Sequence, residues 1–191
     1  MIKVIFFDCF GVVMLTSQQS LEAKHPADAA RLTELSHQAD VGLLGRVELV
    51  EQVAELIGVS INEANKILSS GYHVNTQLTS YMSELKSQGY KIGLISNLGS
   101  GWFDTYVPHE VKVLFDDRVV SGDVGMVKPY PEIFELACSR LGVEPEESLF
   151  IDDIESNCEG ARSAGMAAVN YENFGTFKAE LVSLIKNNSD N

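Results

Sequence analysis

An apolar run, Ile2–Phe7, stops abruptly at a carboxylate, Asp8, and a glycine follows at Gly11. Aromatic and β-branched residues fill the run, so Lys3–Phe7 reads as a buried strand. A buried strand that ends in aspartate carries a charge to the edge of a sheet, where ligands bind in open α/β folds. Four further runs of the same kind follow: Lys91–Ser96, Arg118–Ser121, Ser148–Asp152 and Ala167–Tyr171. They are continuous rather than alternating, which is what a parallel sheet covered on both faces requires. Helical patterns lie between and after them, at Thr76–Gln88, Pro131–Leu141, Glu155–Ala164 and Thr176–Lys186. The first three stop at Gly89, Gly142 and Gly165, and Pro131 occupies a first-turn position. This alternation predicts a doubly wound, Rossmann-like α/β fold with right-handed crossovers. Asn187–Asn191 reads as a polar, disordered tail.

The segment from Thr16 to Gly71 breaks the rhythm. It has no strand-like run, and Ser20–Ala39, Glu48–Ile57 and Asn62–Leu68 read as helices separated by Gly42, Gly45 and Gly58. The division expected is an α/β core of residues 1–15 and 76–191 with an all-helical insertion of residues 16–75. The insertion follows the Asp8 loop directly and is expected to act as a lid over the strand ends.

Composition narrows the partners. With 14 basic and 27 acidic residues the formal charge is −13. Such a chain has no basic stripe to neutralise nucleic-acid phosphates, so nucleic acid is not an expected partner. No apolar run approaches the ~18–20 residues of a membrane span. Cys9, Cys138 and Cys158 show neither CxxC pairing nor metal-ligand spacing, a sparse, odd count that suits a reducing cytosol. The N-terminus reads directly into a strand without a leader-like pattern, and the expected location is cytoplasmic.

Four strand ends carry polar chemistry. Asp8 ends the first strand, Ser96-Asn97 the second and Asp152-Asp153 the fourth, while Lys128 follows the third. In a parallel sheet these ends converge on one edge. Three carboxylates brought together repel one another unless a cation is present. Oxygen-only ligands suit hard Mg²⁺, which keeps waters and binds a substrate phosphate. Mg²⁺ and Lys128 would neutralise a phosphoryl group, Ser96 would hold its oxygens, and Asp8 could attack in line. Taken singly each residue has an ordinary explanation as a cap, a turn residue or a solvated charge. Their order on successive strand ends carries the inference.

The motifs resemble those of the haloacid dehalogenase-like hydrolase superfamily. Asp8-Cys9-Phe10-Gly11-Val12 is similar to its first motif, Ile95-Ser96-Asn97 to the second, Lys128-Pro129 with Pro131 and Ile133-Phe134 to the third, and Ile151–Asn157 to the fourth. The helical insertion lies where that family carries a small helical cap. The resemblance implies that Asp8 is the nucleophile and that Asp8, the Phe10 carbonyl and Asp153 bind Mg²⁺, with Asp152 acting directly or through water. It implies that Ser96 and Lys128 bind the transferring group of a small phosphorylated substrate, with Asn97 nearby, and that Asn157 orients the acidic loop.

One position departs from the pattern. The family's first motif usually has a second aspartate, the general acid and base, and this chain has Phe10 there. Losing such help typically costs about 10²–10⁴-fold in rate. Three readings follow: a Mg²⁺-dependent phosphatase with another proton source, a haloacid dehalogenase, whose halide leaves without a proton, or a very slow or non-catalytic phospho-ligand or protein binder. Dehalogenases in this family need no Mg²⁺ and lack the acidic pair, so Asp152-Asp153 favours the first. Candidate helpers are His25 and His37 as proton donors, Trp102-Phe103 as a pocket wall, and Arg46 as a basic residue in the insertion. Solvation or packing is the ordinary role for each.

Overall fold

A computed structural model describes residues 1–15, 21, 25, 27–70 and 72–187. Five strands form one sheet, β1 (Val4–Phe7), β4 (Lys91–Ser96), β5 (Asp117–Val120), β6 (Ser148–Asp152) and β7 (Ala167–Asn170), in the order β5-β4-β1-β6-β7. Every pairing in it is parallel. β1 is central, and Phe7 is level with Leu94 on one side and Ile151 on the other. The register therefore sets Asp8 beside Asp152.

Both faces of the sheet are buried, which explains the uninterrupted apolar runs. Val4 and Phe6 belong to an apolar cluster with Ile133, Phe134 and Phe150, while Ile5 and Phe7 belong to the cluster on the other face. That second cluster also takes in Leu32, Leu35, Leu49 and Val53 from the helices between β1 and β4. Those helices are α1 (Ala29–Asp40), α2 (Arg46–Ile57) and α3 (Ile61–Ser70). The chain enters and leaves them through a ribbon of two short antiparallel strands, β2 (Met14–Leu15) and β3 (His73–Val74).

The remaining α-helices among the described residues are α4 (Thr76–Ser87), the short α5 (Trp102–Tyr106), α6 (His109–Lys112) and α7 (Ser121–Val124), then α8 (Pro131–Leu141), α9 (Glu155–Ser163) and α10 (Phe174–Asn187). Asn75 caps α4 by accepting from the Leu78 N–H, which is the usual service of an Asn before a first turn. The doubly wound reading of the sequence holds. The strand expected at Arg118–Ser121 ends one residue earlier, because Ser121 already opens α7. Of the expected helix Ser20–Ala39, the part before Ala29 lies mostly outside the described residues, and the expected tail from residue 188 onward lies wholly outside them.

Candidate active site

The site is built at the ends of β1, β4 and β6. The Asp8 N–H donates to the Ile151 carbonyl at 2.8 Å, extending the β1–β6 pairing by one residue. The chain then turns tightly, with the N–H groups of Val13 and Met14 both donating to the Cys9 carbonyl. Gly11 holds φ +94° in this turn, and a Cβ there would lie 2.3 Å from Asp153 Oδ2. Only glycine satisfies both the backbone angle and the approach of that carboxylate.

Asp8 Oδ1 accepts from Ser96 Oγ at 2.6 Å and from Lys128 Nζ at 2.8 Å. Lys128 Nζ also contacts Asp152 Oδ2 at 2.5 Å. Asn97 fixes the lysine's backbone from both sides, donating to its carbonyl at 3.0 Å and accepting from its N–H at 2.9 Å. Asp152 is fully buried, and Asn157 Nδ2 and the Ile154 N–H complete its partners. Ligand oxygens of Asp8, Asp152 and Asp153 all lie within 4.8 Å of one another.

Burial dominates the electrostatics. It pushes the Asp8 carboxyl up, with Lys128 opposing and Asp152 adding to the rise. Burial, then Asp8 and Asp152, push Asp153 up to about 6. For Lys128 burial works against the charge, but Asp152 and Asp8 more than offset it and hold the ammonium protonated. Three carboxylates thus face one ammonium. Asp153 Oδ1 is buried and, among the described residues, finds no hydrogen-bond partner. An excess of hard oxygen donors with one orphaned acceptor fits a divalent cation such as Mg²⁺.

A cavity of about 310 Å³ opens over this floor. Asp8, Ser96, Asn97, Lys128, Asp153 and Asn157 line its polar end. Phe10, Leu32, Leu49, Val53, Ile67, Tyr72 and Trp102 make the rest largely apolar. Phe10 offers the cavity a ring and no carboxyl, and that ring packs on Tyr72 with centroids 4.4 Å apart. Tyr72 continues to Tyr106, and Tyr106 to Trp102.

The structure therefore gathers the sequence-predicted Asp8, Ser96, Asn97, Lys128, Asp152, Asp153 and Asn157 into one place, although Asp152 lies beneath the cavity floor rather than on it. Trp102 lines the cavity, whereas Phe103 packs away from it against Phe115. None of the four histidines lines the cavity. Arg46 is half-buried and does not line the cavity; its guanidinium lies over the rings of Trp102 and Tyr106 and donates to Asn65. Cys9 is fully buried, and burial pushes its thiol well up, as for an inert packing residue. Asp40 and Tyr72 also line the cavity and were missed. The one local signal for Asp40 was an acidic residue in the last turn of a helix, where the helix dipole disfavours it.

The family model described as haloacid dehalogenase-like hydrolase matches residues 2–165. The chain belongs to the haloacid dehalogenase-like hydrolase family. Among solved structures it is similar to a HAD family enzyme of Bacteroides thetaiotaomicron in complex with magnesium and inorganic phosphate. That likeness has a TM-score of 0.74 at 23% identity and covers 93% of this chain and 99% of the other. A dehalogenase with an intermediate complex is similar with a TM-score of 0.67 at 21% identity, over 88% of this chain and 84% of that one. Glyceraldehyde 3-phosphate phosphatase of Methanothermobacter thermautotrophicus is 37% identical over 93 residues, 48% of this chain and 41% of that protein. The chain thus spans about two fifths of the length of the curated relative it matches there. Among the described residues, no helix of this haloacid dehalogenase-like hydrolase is long and apolar enough to cross a membrane.

Proposed function

We propose that this hydrolase is a Mg²⁺-dependent phosphatase of small phosphomonoesters that works through a phosphorylated Asp8. The observation that carries this reading is the acidic trio of Asp8, Asp152 and Asp153 with the orphaned Asp153 Oδ1. A dehalogenase has no use for such a trio, while a phosphatase needs the cation it would hold. The phosphatase name of the relative described above supports the same choice.

Asp8, the Phe10 carbonyl and Asp153 would hold the metal, with Asp152, anchored by Lys128 and Asn157, acting directly or through water. When bound, Mg²⁺ supplies positive charge against the phosphoryl oxygens. The chain's own groups do the rest. Both described hydrogen bonds to Asp8 fall on Oδ1, which leaves Oδ2 to attack phosphorus. Lys128, kept charged, and Ser96 steady the transferring oxygens. Asn97 keeps Lys128 in place through its backbone. The helices α1–α3 serve as a cap whose apolar residues exclude water and favour an ester with a compact, largely apolar organic part. The formal charge of −13 works against polyanionic partners, and the cytoplasm is the compartment in which three free cysteines persist.

Phe10 favours a second reading, a dehalogenase, because a halide leaves without a proton. One screen separates the two: phosphomonoesters with and without Mg²⁺, run beside 2-haloacids. The expected result is Mg²⁺-dependent phosphate release that Asp8→Asn abolishes. Metal-independent halide release would overturn the phosphatase reading. Silence on both panels would favour a ligand-binding role.

A further inference from the structure

The apolar first motif leaves a phosphatase without its expected acid, and the cavity contains a carboxyl elsewhere. Asp40 is the last residue of α1 and lines the cavity shared by Asp8, Ser96 and Lys128. It stands outside the cluster formed by Asp8, Asp152 and Asp153. We propose that Asp40, reaching the cavity from the helical segment, is the general acid and base that Phe10 cannot be. The proposal rests on the phosphatase reading above and deepens it.

The position of Asp40 is fixed by the backbone. The Ser121 hydroxyl donates to the Asp40 carbonyl. A Cβ on Gly99 would lie 3.2 Å from the Ala39 carbonyl, and one on Gly42 would lie 3.5 Å from Gly122 Cα. The end of α1 is therefore seated on the loops that follow β4 and β5, and the same loops carry Asn97 and Lys128. Burial pushes the Asp40 carboxyl well up, and Asp8 adds to the rise while Lys128 opposes it. The negative end of α1 acts in the same direction as Asp8. A rise in this direction favours the protonated carboxyl, the form that leaving-group protonation requires.

In the first step an Asp8 oxygen forms a bond to phosphorus. The ester P–O bond breaks, its electron pair stays on the leaving oxygen, and that oxygen takes the Asp40 proton. In the second step a water oxygen bonds to phosphorus and gives a proton to the Asp40 carboxylate. The Asp8–phosphorus bond breaks, which regenerates both side chains and releases phosphate.

The test is the dependence of kcat/KM on leaving-group pKa, measured with Mg²⁺ over alkyl, phenyl and nitrophenyl phosphates. Asp40→Asn is compared with wild type and with Tyr72→Phe, which removes a phenolic hydroxyl from another residue that lines the cavity. Asp40→Asn is expected to lose about 10²–10⁴-fold on alkyl esters and no more than about tenfold on the nitrophenyl ester. Partial unfolding would lower every ester by one factor and leave the slope alone, so the slope reports proton transfer. An unchanged slope in Asp40→Asn, or the steepening appearing in Tyr72→Phe instead, would overturn the assignment while leaving the phosphatase reading intact. A wild type silent on every ester would remove both together.

Discussion

Asp153 is held in a state that metal-free protein resists. Its Oδ1 is buried without a partner among the described residues, and Gly11 leaves no room for it to be walled off by a side chain. Its folded value of about 6 lies above the ordinary 3.8, so ionising it opposes folding. Stability from this group is present below about pH 4 and is lost as pH rises through 6. A cation that binds the ionised form reverses the effect. Mg²⁺ should therefore raise the melting temperature more at about pH 7.5 than at about pH 5, read by calorimetry. An equal gain at both pH values would remove Asp153 from the ligand set. Asp8, Ser96, Lys128 and the acidic pair were legible because strand order in the sequence becomes position along one edge in space. Asp40 and Tyr72 were not, because they reach that edge through helix packing, which no spacing in the sequence records.

The Lys128 loop depends on a helix that contributes no charge to it. A Cβ on Gly160 in α9 would sit 2.2 Å from the Pro129 carbonyl, closer than any side chain can stand. Gly160→Ala must push α9 and the Lys128-Pro129 turn apart. The expected loss is about 1–3 kcal/mol, at roughly 2–4 °C per kcal/mol for a domain of this size. The variant should also lose activity beyond what its unfolded fraction explains, measured by thermal melts beside steady-state kinetics. At this scale the long elements were legible almost to the residue: β4, β6 and α8 lie where the sequence puts them. Their continuous apolar runs and terminal glycines are strong local signals. The strands β2 and β3 and the helices α5–α7 were not seen. Two to five residues are too few to establish a period, and tertiary contacts alone define them.

The helical segment and the sheet share one apolar cluster, so they should unfold together. Trp102, the sole tryptophan, packs near their junction, where Gly99 approaches both it and the Ala39 carbonyl. Its fluorescence and the far-UV circular dichroism should trace the same urea curve. A fluorescence change at lower urea would mean that the helices detach first. Among the described residues, helices lie where the alternation of strand runs breaks, and one interruption in a regular alternation is easy to locate. How closely the two parts share a core was not legible, because an apolar residue in a helix does not say which neighbour it meets. The ribbon that joins them has a mechanical meaning. Met14–Leu15 and His73–Val74 are hydrogen-bonded side by side, so two chain crossings behave as a single strap. A strap bends across its width far more easily than it shears, since sliding would break its ladder. The second tie is the end of α1, seated on the residues after β4 and β5, so the helices are held at two separate places. Between these two ties the cavity over Asp8 is spanned as by a beam resting on two supports, one a hydrogen-bonded ribbon and the other a helix end.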